Sequence, residues 1–325
     1  MPPQVHQALS PVSPAHCRGG FLRRLLRRLD SWEAVERRRG RPPGKAWWGH
    51  LPFLVLHLAC LAVLWVGFSW TALAVAAGLY FLRMFAVTAF YHRYFAHRAF
   101  RAGRKAQFVF AVLGASAVQR GPLWWAAHHR HHHRASDRED DVHSPRHHGF
   151  WGSHVGWILK PENARTRLEL IPDFARFPEL RFLDRYDTLV PALLALALFG
   201  LGELLASLAP GLGTDGWQLL VWGFVVSTVV LYHGTFVINS LCHVWGRQRY
   251  ATGDDSRNNF WLALITLGEG WHNNHHRYPN SARQGFFWWE LDVSYALLRV
   301  LERLGVVRDL RPVPERILRA AAGTA

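Results

Sequence analysis

An all-α membrane protein, with four spanning helices in two hairpins beneath a helical cap, is the fold class this sequence predicts. Three observations predict it. Uncharged apolar runs of membrane-spanning length alternate with strongly polar stretches, a segregation that soluble cores rarely show. A cluster of arginines stands just before the first apolar run. The histidines, 20 in all, gather in groups beyond the second and fourth runs.

Taken in order, Leu51–Trp70 carries no charge, and its 20 residues cover about 30 Å at a helical rise. Thr71–Tyr91 follows at once with only Arg83, so the first pair is expected to form a tight hairpin. Thr188–Leu208 holds a lone Glu203, and Trp217–Ile238 holds His233 but no charge. The Gly/Pro-rich stretch Pro210–Gly216 is the turn between them. Ala106–Gln119, bracketed by Lys105 and Arg120, has 14 uncharged residues, a length that suits an interfacial or re-entrant helix. Parity agrees. If that segment crossed as well, the first two histidine clusters would face opposite sides of the membrane and could not share a site. The expected organisation is a basic arm 1–47, a main domain 48–290 and a helical tail 291–325.

Half of the 325 residues are hydrophobic, which by itself settles no class. The formal charge is +15, and Arg23, Arg24, Arg27, Arg28, Arg37, Arg38, Arg39 and Arg41 supply much of it. In a soluble protein that arm would suggest phosphate binding. Beside a spanning helix it reads as a positive-inside signal, which excludes nucleic acid as the expected partner and places the polar chemistry in the cytoplasm. Within the arm, 21–29 alternates leucine and arginine with helical amphipathicity, as a helix lying along anionic headgroups would. A disordered basic tail accounts for the same residues. Cys17, Cys60 and Cys242 form no CxxC pair and no disulfide framework. No apolar stretch follows the start as in a cleavable signal peptide, so the first helix is expected to remain as an anchor.

The histidines carry the chemistry. His92-x4-His97 follows the second run. His128, His129, His131, His132 and His133 form a second group, and His272, His275 and His276 a third, preceded by Asn239 and His243. Spacings of three to five residues bring imidazoles onto neighbouring faces of a helix turn, as a shared metal needs. Imidazole suits iron, zinc, copper or nickel rather than magnesium or calcium. Structural zinc would take four ligands, usually with cysteine among them. Three boxes supply at least eight, enough for two ions in the cap. The tract 128–133 alone fits an unspecific metal-binding stretch equally well. Three boxes on one membrane face do not.

The motifs resemble the membrane fatty-acyl desaturases of the stearoyl-CoA and acyl-lipid delta-9 type. His92–Arg98 is similar to the family's HRxxxHR, and His129–His133 with Ser136 and Asp137 to HRxHHxxSD. Ser153–Trp157 resembles SHVGW, Asn239-Ser240 with His243 resembles NSxxH, and Gly268–His276 resembles GEGxHNxHH. The resemblance covers residues from about 50 to 290, with every motif in order. It implies nine ligands, His92, His97, His129, His132, His133, His243, His272, His275 and His276, with Asn239 acting through a water. It implies two Fe ions as cofactor and O2 as co-substrate, with no catalytic side chain beyond the metal centre. Spacing alone leaves the second box in two registers, because His128 with His131 and His132 also reads HxxHH. The family's arginine directly after the first histidine selects His129.

The reaction so implied is O2-dependent removal of two hydrogens from a long saturated acyl chain, leaving a cis double bond at delta-9. Such C–H bonds resist acid, base and nucleophile, so a metal must carry the chemistry while the protein places the chain and excludes water. Trp124, Trp125, Trp261 and Trp271 are candidate tunnel walls, though 16 tryptophans also suit an interfacial belt. Tyr80, on the second span, is the candidate tunnel end. Gln119-Arg120-Gly121-Pro122 resembles the QGGP-type segment of acyl-lipid enzymes, which marks Arg120 as a substrate residue and leaves both acyl-CoA and acyl-lipid open. No haem-binding extension or ferredoxin-like cysteine set is visible, so a separate electron donor is expected, such as a ferredoxin, a cytochrome b5-like protein or a reductase. The expected location is the bacterial cytoplasmic (inner) membrane, with the N-terminus and boxes cytoplasmic. Two other functions compete: a histidine-box hydroxylase, disfavoured by these blocks, and a membrane metal transporter or sensor. The latter needs ionisable residues inside the spans, where few occur, Arg83, Glu203 and His233 among them.

Overall fold

The computed structural model describes residues 27–38 and 50–322 and is mostly helical. Most of the arm, including 21–26, His6, His16 and Cys17, lies outside the described residues. The helices that matter here are α1 (Ser31–Arg38), α2 (Leu51–Val66), α3 (Trp70–Ala96), α4 (Arg104–Ala115), α5 (Pro122–Ala135), α6 (Pro178–Arg185), α7 (Leu189–Leu208) and α8 (Gly216–Val244). The cap continues with α9 (Phe260–Ile265), α10 (His272–Arg277), α11 (Val293–Arg303) and α12 (Glu315–Ala322). One short antiparallel pair, β1 (Arg101–Ala102) with β2 (Val307–Arg308), ties the tail back to the first box.

Among the described residues, α3, α7 and α8 are long and apolar enough to cross a membrane. The first expected span is shorter than the 20-residue reading. α2 stops at Val66, about 24 Å from its start at helical rise. The stop is local: Gly67 takes φ +69, and the Ser69 hydroxyl accepts the Ala72 N–H to begin α3. The expected tight turn is therefore at 67–69. The second hairpin turns through Pro210–Leu212 and Gly213, whose φ of +61 favours glycine, and Asp215 caps α8 by accepting Gln218 N–H.

α3 runs past the expected Tyr91 to Ala96, widening into a π-helix over Ala86–Ala96 with every residue buried. π segments are uncommon and cluster at functional sites; this one carries His92. It packs on α4 and α5 through an aromatic core in which Phe90 stacks on Phe110 at 3.9 Å, with Tyr94, Phe95 and Phe174 around them. α4 is amphipathic and too short to span, burying Gln107, Phe110 and Ala111 and exposing Phe108 and Val109.

The N-terminus of α5 is held from outside the helix. Pro122 opens it, and the Asp184 carboxylate of α6 accepts the Leu123 and Trp124 N–H groups at 2.9 and 2.8 Å. Gly121 is required there, since a Cβ would lie 2.4 Å from Asp184 Cα. Trp32 of α1 donates to the same carboxylate, so α1 docks where the second box begins. At the other end, Arg130 donates to the Phe95 and Ala96 carbonyls and to Asp173, locking α5 against the end of α3. Two of the three boxes are thus set in register by one arginine. A second arginine does the same for the third box. The fully buried Arg93 pairs with Glu269 and Asp292 and donates to the Ala282 carbonyl.

Candidate metal centre

The structure brings all nine sequence-predicted histidines together and divides them. His92, His97, His129, His133 and His275 form one group, each offering a ring nitrogen within 4.8 Å of the others. His132, His243, His272 and His276 form a second by the same measure. The division follows helix geometry. His129 and His133 are four apart and share a face of α5, while His132 faces the other group. His275 and His276 likewise diverge on α10. His129, not His128, joins the cluster. The His128 ring turns back to the Trp124 carbonyl at 3.0 Å and packs on the Trp124 ring.

Hydrogen bonding fixes four of the tautomers. His243 Nδ1 meets Asp137 at 2.9 Å, His132 Nδ1 meets Asp141 at 2.9 Å, His276 Nδ1 meets Asp254 at 2.6 Å and His92 Nδ1 meets Glu269 at 2.6 Å. Each Nδ1 donates its proton to a carboxylate, which leaves Nε2 as a bare lone pair aimed inward. His92 Nε2 lies 3.0 Å from His275 Nε2, and His243 Nε2 lies 3.1 Å from His272 Nε2. His97 and His129 approach to 2.8 Å, and His133 and His275 to 2.9 Å. Ring nitrogens this close either share a proton or flank a cation, and with Nδ1 of His92 and His243 already donating, their Nε2 atoms have only a lone pair to offer. Two nitrogens bonded at about 2.1 Å to one ion at right angles stand about 3 Å apart. The buried Nε2 of His276 has no hydrogen-bond partner, as a ligand atom would not. The donor set therefore fits two metal ions.

The electrostatics agree. Burial first, and neighbouring imidazoles second, hold His97, His129, His133, His272 and His275 well below the ordinary histidine value. Burial brings His276 to about 4, against the pull of Asp254. These six rings are neutral at physiological pH, as metal ligands are. Burial alone would raise Asp137, Asp141 and Asp254, but their histidine partners draw all three well below the carboxylate range. The four-histidine group thus has three carboxylates behind it, and the five-histidine group has Glu269, with the Gln284 amide 3.4 Å from His275 Nδ1.

A cavity of about 470 Å³ opens beside both groups. Its polar lining includes His92, His129, His132 and His272 with Asn239, and its apolar lining includes Phe53, Met84, Val87 and Tyr232. Trp124 and Trp125 line it as expected, and Trp125 stacks on His129 at 5.1 Å. Trp261 and Trp271 do not. Trp261 faces outward, and buried Trp271 donates to the Leu291 carbonyl instead. Nor does Tyr80 close the cavity. It packs behind Met84, and its hydroxyl donates to the Ile265 carbonyl at 2.7 Å. Arg120 does line it, 3.4 Å from Asp187 and 5.7 Å from the Trp124 ring centre. Arg120 occupies a glycine position of the QGGP-type pattern and has the left-handed φ of +68 that glycine would suit.

Several residues of the centre carried no assigned role in the sequence reading. Asp137 and Glu269 sit inside quoted motifs, whereas Asp141, Asp254 and Gln284 lie in loops with no spacing signal. His143 packs on the His132 ring at 4.3 Å and approaches Asp141 at 3.4 Å. His154 stays apart from the nine, bonding Ser240 and His233.

A family model described as fatty acid desaturase matches residues 68–306. The chain is 38% identical over 248 residues to a palmitoyl-monogalactosyldiacylglycerol delta-7 desaturase of Arabidopsis thaliana, covering 75% of this chain and 63% of that protein. It is 35% identical over 287 residues to an sn-2 palmitoyl-lipid 9-desaturase of Nostoc sp., covering 86% and 95%. A delta-9 acyl-lipid desaturase 1 of Arabidopsis thaliana is 37% identical over 267 residues, covering 79% and 81%.

Proposed function

Because this chain belongs to the fatty acid desaturase family, we propose that it uses two iron ions and O2 to place a cis delta-9 double bond in a saturated, lipid-borne acyl chain. The observation that carries the reading is the pair of carboxylate-backed histidine groups opening onto one largely apolar cavity. His92, His97, His129, His133 and His275 would hold one ion; His132, His243, His272 and His276, with Asn239 through a water, would hold the other. Iron, when bound, supplies the O2 chemistry that breaks unactivated C–H bonds. Overall, two hydrogens from the chain, two electrons and two protons reduce O2 to two waters.

The chain's own residues do the rest. Phe53, Met84 and Val87 enclose the methylenes and exclude water, and Trp125 braces His129 while closing the same wall. Arg93 holds Glu269 on His92, so the first and third boxes cannot drift apart. Arg120 and Asp187 supply polar contacts for the ester end. The names of two relatives, sn-1 stearoyl-lipid and sn-2 palmitoyl-lipid 9-desaturases, support a membrane lipid as carrier, while two acyl-CoA desaturases of Anemone leveillei are 36% identical as well.

In the membrane, α2 makes a fourth crossing, its exposed Leu54, Leu58, Leu61 and Trp65 facing lipid. The N-terminus and the helical cap then share the cytoplasmic face of a bacterial inner membrane, with 1–47 as arm, 48–290 as desaturase domain and 291–325 as tail. Electrons come from a separate carrier, acidic enough to dock on the basic cap. Expression in a host lacking monounsaturated fatty acids, with lipids profiled by class, tests the reading. A cis-9 monoene appearing first in membrane lipid supports it. A monoene confined to acyl-CoA overturns the carrier, a hydroxy acid overturns the reaction, and unchanged lipids overturn both.

A further inference from the structure

The segment after α8 enters and leaves α9 at one point. Asn259 N–H donates to the Gly270 carbonyl at 2.8 Å, and Asn258 bridges to Trp271. Between these ends runs Phe260–Gly268, FWLALITLG, without a single charge. α9 buries Leu262 and Ala263 and turns Phe260, Trp261, Leu264 and Ile265 outward, 47, 63, 42 and 43% exposed. On a water-facing surface those four side chains would make a contiguous apolar patch of the kind that drives association.

Depth is set by a hydrogen bond. Tyr80, whose hydroxyl donates to the Ile265 carbonyl at 2.7 Å, lies ten residues into α3, about 15 Å from its start and so near the middle of a 30 Å hydrocarbon layer. The spanning helices expose Phe81, Leu82 and Val230 near the same level. A helix ending inside lipid must satisfy its free carbonyls within the protein, and three of the last four carbonyls of α9 find partners there. Leu262 accepts from the Thr266 N–H and hydroxyl, Ala263 from Gly268 N–H and Ile265 from Tyr80, while Ser294 N–H closes Leu267 beyond.

We propose that Phe260–Ile265 is a re-entrant helix that dips from the cap into the bilayer, its face of Phe260, Trp261, Leu264 and Ile265 in contact with lipid acyl chains. Its return limb leads into Thr266 and Glu269, which line the acyl cavity, so the dip joins the lipid face to the first metal group. The test uses the full chain, iron-loaded, in liposomes. Cys17 and Cys60 are replaced by serine and alanine, Cys242 being fully buried. Nitroxide labels at Trp261→Cys and Leu264→Cys are compared with a lipid-facing control, Leu196→Cys on α7, and an exposed polar loop control, Glu139→Cys. Collision of both labels with O2 but not with a water-soluble nickel chelate, as at 196, supports the dip. Nickel access equal to that at 139 overturns it.

Discussion

Replacing Asp137 separates the two metal groups. Its Oδ2 accepts from His243 Nδ1 and from Asp255 N–H, and its Oδ1 accepts the Ser144 hydroxyl. In Asp137→Asn the amide oxygen can keep the Oδ2 position and the amide nitrogen can donate to Ser144, whose hydroxyl turns to accept. Shape and hydrogen bonds survive and only the charge is lost. Residues of this kind behind a ligating histidine contribute about 10–100-fold in metal affinity, or about 1.4–2.7 kcal/mol. The charge-only variant should sit near the tenfold end and Asp137→Ala near the hundredfold end. Because Asp137 touches only the four-histidine group, one iron should go before the other. Chelator titration with iron measured per chain should show a plateau at one iron that the parent protein lacks. Glu269→Gln, which touches His92, should weaken the other ion instead. Simultaneous loss of both irons in Asp137→Asn, or unchanged retention in Asp137→Ala, would refute the assignment of His243 to a separate ion.

His129→Ala should abolish activity and lower bound iron, whereas His128→Ala should keep both irons and lose modest stability from the space left beside Trp124; the reverse pattern sinks the register. Gly121→Ala forces a Cβ to 2.4 Å from Asp184 Cα, so it should destabilise by about 1–3 kcal/mol or more and lower the melting temperature, while Gly78→Ala, with open space around it, should not. Asp187 is pushed up to about 6, by burial first, with Arg120 pulling it back and Asp184 adding to the rise. A raised carboxyl stabilises the fold most below the ordinary carboxylate range. That contribution, at most about 3 kcal/mol, is lost as pH climbs through about 6. Asp187→Asn should flatten the melting temperature between pH 4 and 7, and a profile parallel to the parent's would exclude Asp187 as its source.

The long apolar helices and the histidine clusters were legible in the amino-acid order because each rests on local rules. Uncharged runs of about 20 residues announce bilayer-length helices, and histidines at helical spacing announce shared metals. The errors fell where long-range packing decides. A break at Gly67 shortened α2, since a single positive-φ glycine ends a helix within an unbroken apolar run. Tyr80 sits on the expected helix but points toward Ile265, because helix rotation, not position along the chain, chooses what a side chain meets.

By itself the sequence determined the family, a mostly helical chain with apolar runs of bilayer length and the three histidine groups, and the family's arginine pattern favoured His129 over His128. Only the tertiary structure turned His128 away to the Trp124 carbonyl, divided the nine into five and four, and placed Asp137, Asp141, Asp254 and Glu269 behind them. Spacing tells which rings can share a helix face. Which face meets which carboxylate depends on how α3, α5 and the loops beside α10 are clamped, here by Arg93, Arg130 and Asp184 across more than 40 residues of chain.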